Sequence, residues 1–90
     1  MARPVVHDAS RGRSIGNLLS VTPSGEWTVR SGGREFATEG TEVVDRTGRW
    51  RGRVVRVFGP VERPYLAVRP RRTPGPAEGL ALIGAELVRA

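Results

Sequence analysis

Arginine carries most of the chemistry open to this chain. All 15 of its Lys/Arg positions are arginine, and Arg49, Arg51 and Arg53 recur at every second residue. On an extended strand alternate residues share a face, so this spacing lines up three guanidinium groups. Arg46 and Arg56 extend the run, and Arg69, Arg71 and Arg72 form a second cluster. A guanidinium presents a planar fork of donors that fits the oxygens of a phosphate or a carboxylate. Two readings follow: a basic surface for RNA or an acidic protein partner, or a solvated outer face. Surfaces that track phosphates usually add exposed stacking aromatics on the same face. Aromatics make up 6% of the chain, so the pattern by itself leans toward the solvated face.

Catalysis has little to work with. The single histidine, His7, sits beside Asp8 in a segment with few apolar residues. A metal site needs several converging ligands, so His7 reads as a solvated side chain. There is no cysteine to serve as nucleophile, thiolate ligand or disulfide partner. Ser10, Ser14, Ser20, Ser24 and Ser31 fall mostly at turns, with no histidine placed to activate them. Glu26, Glu35, Glu39, Glu42, Asp45 and Glu62 are scattered, as surface charges or turn caps would be. Gly12, Gly16, Gly32 and Gly33 precede no helical pattern and make no phosphate-cradling loop. The chain is expected not to be an enzyme and to need no cofactor.

The third chemical feature is apolar. Between two β-like runs lies a connection holding Gly59, Pro60 and Pro64, with Phe58 before it and Tyr65 after it. Pro60 suits the second position of a turn, and Pro64 biases Arg63 toward extended backbone. The corner should therefore be short and stiff. A stiff corner loses little entropy on binding, and clustered surface apolar residues usually mark an interaction site. The alternative is that Phe58 and Tyr65 plug the barrel end. Local physics leaves the two readings level.

The elements that must hold these residues read as strands. The pattern predicts strands at 14–21, 26–30, 42–45, 50–58, 65–69 and about 86–89, with a further short one in "REFA". Trp27 and Val29 share one face, and so do Leu66 and Val68. Along 50–58 neither alternate set is purely apolar, which predicts a twist or a bulge. Residues 70–79 read as a proline-rich loop. Residues 80–83 read as irregular or extended, since Gly84 spoils a helix there. Residues 1–13 read as a flexible N-terminal tail, and 14–90 as a single domain. Twelve glycines and seven prolines punctuate these short runs. Such a pattern argues an all-β barrel or sandwich, and a closed barrel removes the exposed edges of an open sheet.

Ninety residues allow one small domain with a modest core. The formal net charge of +6 points to nucleic acid, or to a complex containing it. The all-arginine choice is less specific, because GC-rich coding would produce it too. No run has transmembrane length and no charged-then-apolar leader is present, so a cytoplasmic protein without membrane contact is expected.

One stretch carries a family likeness. "VVDRTGRWRGRVVRVFGPVERPYLAVRP" resembles the core signature of the Gar (glycine-arginine-rich) subunit of H/ACA ribonucleoproteins. That subunit is the small non-catalytic partner of the RNA-guided pseudouridine synthase. The pattern is met by Val44, Asp45, Gly52, Val54, Phe58, Gly59, Pro60, Val61, Pro64, Tyr65, Val68 and Pro70 in order. FGPVxxPY is its specific part; a weaker match covers about 14–90.

The resemblance implies a small six-stranded β-barrel of the translation-factor and reductase type. It implies docking on the catalytic domain of a dyskerin-like synthase through Phe58, Gly59, Pro60, Val61, Pro64 and Tyr65. It further implies a part in substrate RNA loading and release during rRNA pseudouridylation and ribosome biogenesis, exerted through a mobile loop of the synthase. Guide RNA and substrate rRNA would be met mainly indirectly. The alternative is a free-standing barrel that binds RNA directly through Arg49, Arg51, Arg53, Arg69, Arg71 and Arg72. Two departures stand out. Arg56 replaces a frequent acidic residue, and the glycine–arginine-rich tails of eukaryotic members are missing, as in the compact archaeal type. The likeness tips the corner toward a docking patch, with Phe58 anchoring it from inside and Tyr65 facing outward. Without its partner, such a face could pair with a second copy.

Overall fold

Alternating apolar residues fold into strands that close on themselves. The computed structural model describes residues 14–32 and 38–90. Its elements are β1 (Ser14–Val21), β2 (Trp27–Ser31), β3 (Glu42–Asp45), β4 (Arg51–Phe58), β5 (Tyr65–Pro70), α1 (Pro76–Leu82) and β6 (Glu86–Arg89). The tail expected at 1–13, with His7, and the short strand expected in "REFA" lie outside the described residues. The strands form a closed barrel in the order β1-β2-β5-β4-β3-β6, and every pairing is antiparallel. Closure leaves no long unpaired edge, the usual hazard of a small sheet. Among the described residues no helix is long and apolar enough to cross a membrane.

The inner positions supply the core. Ile15, Leu18, Trp27, Val29, Val43, Val54, Leu66, Val68 and Leu87 are almost wholly buried. Trp50, just before β4, and Leu82 of α1 join the same cluster. Trp27 and Val29 face inward together, as do Leu66 and Val68, as their alternation predicts.

β4 breaks its alternation at one point. Val54 stands opposite Val68, but the next paired residue, Arg56, stands opposite Ala67. Val55 is therefore an extra residue, a bulge of the kind the mixed pattern predicts. Before the bulge Gly52 and Val54 face inward; after it Val57 does, packed against the core. Phe58 is thereby turned outward, where it pairs with Tyr65. This corrects the expectation that Phe58 anchors the corner from inside: the register shift moves it to the solvent face. The inner row needs a close approach at Gly52, where a Cβ would lie 2.9 Å from the Arg69 carbonyl oxygen.

The C-terminal region also departs from expectation. Residues 76–82 are helical, so the loop expected through Gly79 ends at Gly75, and most of 80–83 is not extended. Pro76 occupies the first turn, where its missing N–H costs nothing. The Glu78 carboxylate accepts the Gly75 N–H at 3.0 Å. Gly84, with φ of +88°, lies beyond the helix and stops it rather than spoiling it. Its N–H donates to the Leu18 carbonyl at 2.7 Å, which ties the helix exit to β1.

Candidate functional site

The connection between β4 and β5 carries Val61, the most exposed large apolar side chain among the described residues. Gly59 has φ of +90°, a backbone region that side chains rarely adopt. A Cβ there would also fall 2.8 Å from Cδ2 of Tyr65. The glycine thus lets the chain reverse over the tyrosine ring. Phe58 and Tyr65 stack, with ring centroids 5.7 Å apart and planes inclined by 28°. Phe58 is 38% exposed and Val61, at the tip, 89%. Gly59 and Pro60 are exposed, and Tyr65 is half-buried.

Pro64 is the exception, being buried. It pins the foot of the corner to β2: its carbonyl accepts the Ser31 N–H at 3.1 Å. Arg63 Nε donates to the Ser31 carbonyl at 3.3 Å. The six residues singled out in the sequence are therefore brought together as an exposed tip, a stacked pair and a buried foot.

The arginines are dispersed by comparison. Arg51 and Arg53 share the outer face of β4, but Arg49 lies in the turn before it. Arg53 and Arg71 both reach Glu42 Oε2, at 3.1 and 3.2 Å. Hydrogen bonds from Arg53 and Arg71 hold the Glu42 carboxyl below the usual glutamate range. Arg69 lies 3.8 Å from Glu26, and Arg72 lies 3.7 Å from Glu78. Arg72 also packs over Trp50, with its guanidinium carbon 4.2 Å from the ring centroid. The Gly75 N–H, and then Arg72 and Arg49, keep the Glu78 carboxyl below its ordinary value. Exposed pairs of this kind contribute only ~0–1 kcal/mol each, so they do not lock the arginines away from a phosphate. They do set a carboxylate beside four of the six proposed phosphate contacts, which lowers the local positive potential.

Asp45 has a structural task. Its Oδ1 accepts the N–H groups of Arg49 and Trp50, each at 3.0 Å, and its Oδ2 accepts the Thr47 hydroxyl at 2.7 Å. The Val–Asp pair of the sequence signature therefore staples the β3–β4 turn and seats Trp50 in the core.

A second apolar cleft of about 390 Å³ lies between the β1–β2 turn and α1, lined in part by Val21, Pro23, Pro76, Leu80 and Ile83. It sits at the barrel end opposite the β4–β5 corner, beside a helix where the sequence pattern predicts none. Among the described residues no group of three or more His, Cys, Asp or Glu could hold a metal ion.

No protein-family model and no curated protein matches this chain.

Proposed function

We propose that this chain is a non-catalytic docking subunit of an RNA-guided pseudouridine synthase, seated on the catalytic subunit through the β4–β5 corner. The reading joins the FGPVxxPY resemblance to one observation: the corner displays Phe58, Val61 and Tyr65 outward on a glycine- and proline-stiffened connection. Fully burying a valine side chain is worth ~1.5–3 kcal/mol, and Val61, 89% exposed, has nearly all of that to gain. The corner can therefore contribute more binding energy than any single exposed ion pair of the arginine clusters. In this role the barrel assists loading and release of substrate RNA, in rRNA pseudouridylation and ribosome biogenesis, without itself reacting. Guide and substrate RNA are met mainly through the catalytic subunit.

A second reading, direct RNA binding, draws support from the same face. Phe58 and Tyr65 give the stacking surface that the arginine pattern alone lacks, and Arg56 lies over Phe58 at 5.2 Å from the ring centroid. Salt separates the two readings. Affinity for RNA falls steeply with salt, whereas an apolar anchor holds. The test is co-purification with a dyskerin-like synthase from the same source, in the absence of RNA and repeated at high salt. A complex that survives both conditions supports docking. No complex, together with salt-sensitive binding of RNA by the barrel alone, replaces it with the second reading.

A further inference from the structure

The outward row of residues continues past the two aromatics. Arg30 stands opposite Tyr65 in the β2–β5 ladder, and Phe58 stands opposite Tyr65 in the β4–β5 ladder. Residues directly opposite one another in a sheet share a face. Arg30, Tyr65 and Phe58 thus lie side by side across three strands. Arg56, on the same face, stacks its guanidinium against Phe58. The aromatic pair is bordered by the Arg56 guanidinium over Phe58 and, in the next strand, by Arg30 opposite Tyr65.

These two arginines differ from Arg53, Arg69, Arg71 and Arg72, each of which lies beside a carboxylate. Both are exposed, and neither has an ion pair or side-chain hydrogen bond among the described residues. The corner itself adds Arg63 and Glu62. Among the described residues the face so defined carries Arg30, Arg56 and Arg63 against Glu62.

A cover laid on Phe58 must also cover Arg56, because the guanidinium packs on that ring. An apolar cover would strip water from an unpaired charge, and desolvating an ion without a partner is strongly unfavourable. The cover must therefore bring anions. Phosphates would answer the charge but not the tip, where Val61 and Pro60 stand free in solvent. A protein surface answers both. We infer that the surface which covers the corner is apolar at its centre and places carboxylates opposite Arg30 and Arg56. This rests on the docking reading and names the chemistry of the partner's side.

The test is the double charge reversal R30E/R56E in the full chain, with R49E as a control. Arg49 is exposed and lies in the β3–β4 turn, at the barrel end away from the corner. Binding to the synthase is followed against salt. R30E/R56E is expected to weaken the complex at least on the order of tenfold, chiefly through faster dissociation, as breaking a covered charge pair does. The gap should narrow but not close near 1 M salt, where the screening length is ~3 Å, because a covered pair is screened less than an exposed one. R49E should bind like the parent. Unchanged binding of R30E/R56E, or an equal loss in R49E, overturns the inference while leaving docking in place if Tyr65→Ala still weakens the complex. Failure of the parent protein to bind removes the docking reading and this inference together. Weakened binding of a single-stranded oligouridylate by R30E/R56E, with synthase binding intact, assigns the face to nucleic acid and also overturns it.

Discussion

Phe58 and Tyr65 face each other across the β4–β5 ladder and stack on the outside of the barrel, 5.7 Å between ring centroids. The stack stands at the foot of a connection whose tip, Val61, is almost free of intramolecular cover. Tyr65→Ala should remove the ring on which Phe58 rests. Buried anchors of this type cost ≥ ~2 kcal/mol of binding when truncated, so affinity for the proposed synthase partner should fall at least about thirtyfold. The loss to stability should comprise ~0.5–1.5 kcal/mol for the aromatic pair together with the packing of a half-buried side chain. Isothermal titration and thermal unfolding of the same variant measure the two quantities. Equal affinity for parent and variant would remove Tyr65 from the interface.

Val61→Asp separates binding from folding more cleanly. An exposed loop position normally tolerates substitution within ~0.5 kcal/mol of stability. A carboxylate forced into an apolar contact would cost binding heavily, and here it would also face the carboxylates inferred on the partner. Unfolding should be unchanged and the complex lost. A variant that still co-purifies would show that the tip stays in solvent.

Gly59→Ala meets two obstacles at once. Its φ of +90° disfavours any side chain, and the new Cβ would lie 2.8 Å from the Tyr65 ring. Backbone strain alone is worth ~1–3 kcal/mol. Tyr65 must shift, so the variant should be destabilised and should also bind more weakly. Chemical denaturation gives the first effect. Titration with the proposed synthase partner gives the second, and the NMR ring resonances of Tyr65, the one tyrosine in the chain, report the displaced ring.

Asp45→Ala should act on stability and not directly on docking. It deletes acceptors for the Arg49 and Trp50 N–H groups and for the Thr47 hydroxyl. Hydrogen bonds to a charged group are worth ~1.5–3 kcal/mol, and the Trp50 N–H would be left buried without that partner, so a loss of about 2–4 kcal/mol is expected. Denaturant unfolding followed by tryptophan fluorescence is the measurement. A stability within error of the parent would show that water replaces the carboxylate.

Acid should weaken the barrel through three glutamates. Arg53 and Arg71 lower the pKa of Glu42, the Gly75 N–H and Arg72 that of Glu78, and Arg46 and Ser14 that of Glu86. A carboxyl with a depressed folded-state pKa stabilises the fold fully above its unfolded value, about 4.5. That contribution is lost as pH falls through the lower folded-state value. Thermal midpoints should therefore be flat from pH 7 to about pH 5 on this account and decline below 4.5. Glu42→Gln should flatten part of that acid limb. These side chains are well solvated, so the slope should be shallow and should diminish in high salt. A steep loss already complete above pH 5 would point to another group.

Much of the architecture is legible in the chain itself. β-branched residues at alternate positions, cut by glycine and proline, specify short strands, because only a period of two keeps Trp27 with Val29 and Leu66 with Val68 on one inner face. The bounds of β1, β3 and β6 follow from that pattern directly. The corner was also visible, since two prolines and a glycine within six residues restrict the backbone whatever surrounds it. The helix was hidden because seven residues with two glycines flanking or inside it carry weak helical preference, and its stability comes from Leu82 entering the core.

What only the tertiary structure decided is which way the corner's residues face. One extra residue at Val55 reverses the parity of β4, and parity cannot be read from a strand alone, because it depends on the register with Leu66 and Val68 in the neighbouring strand. That single shift places Arg56 and Phe58 outside. The pairing of β2 with β5, 35 residues apart at Arg30 and Tyr65, then brings in a cation that no local motif connects to the corner. Ion pairing was likewise beyond the sequence, since Glu42 meets Arg71 only because the barrel closes β3 against β4 and β4 against β5. Local chemistry specified the parts of this surface; the hydrogen-bond register of a closed sheet specified which of them share it.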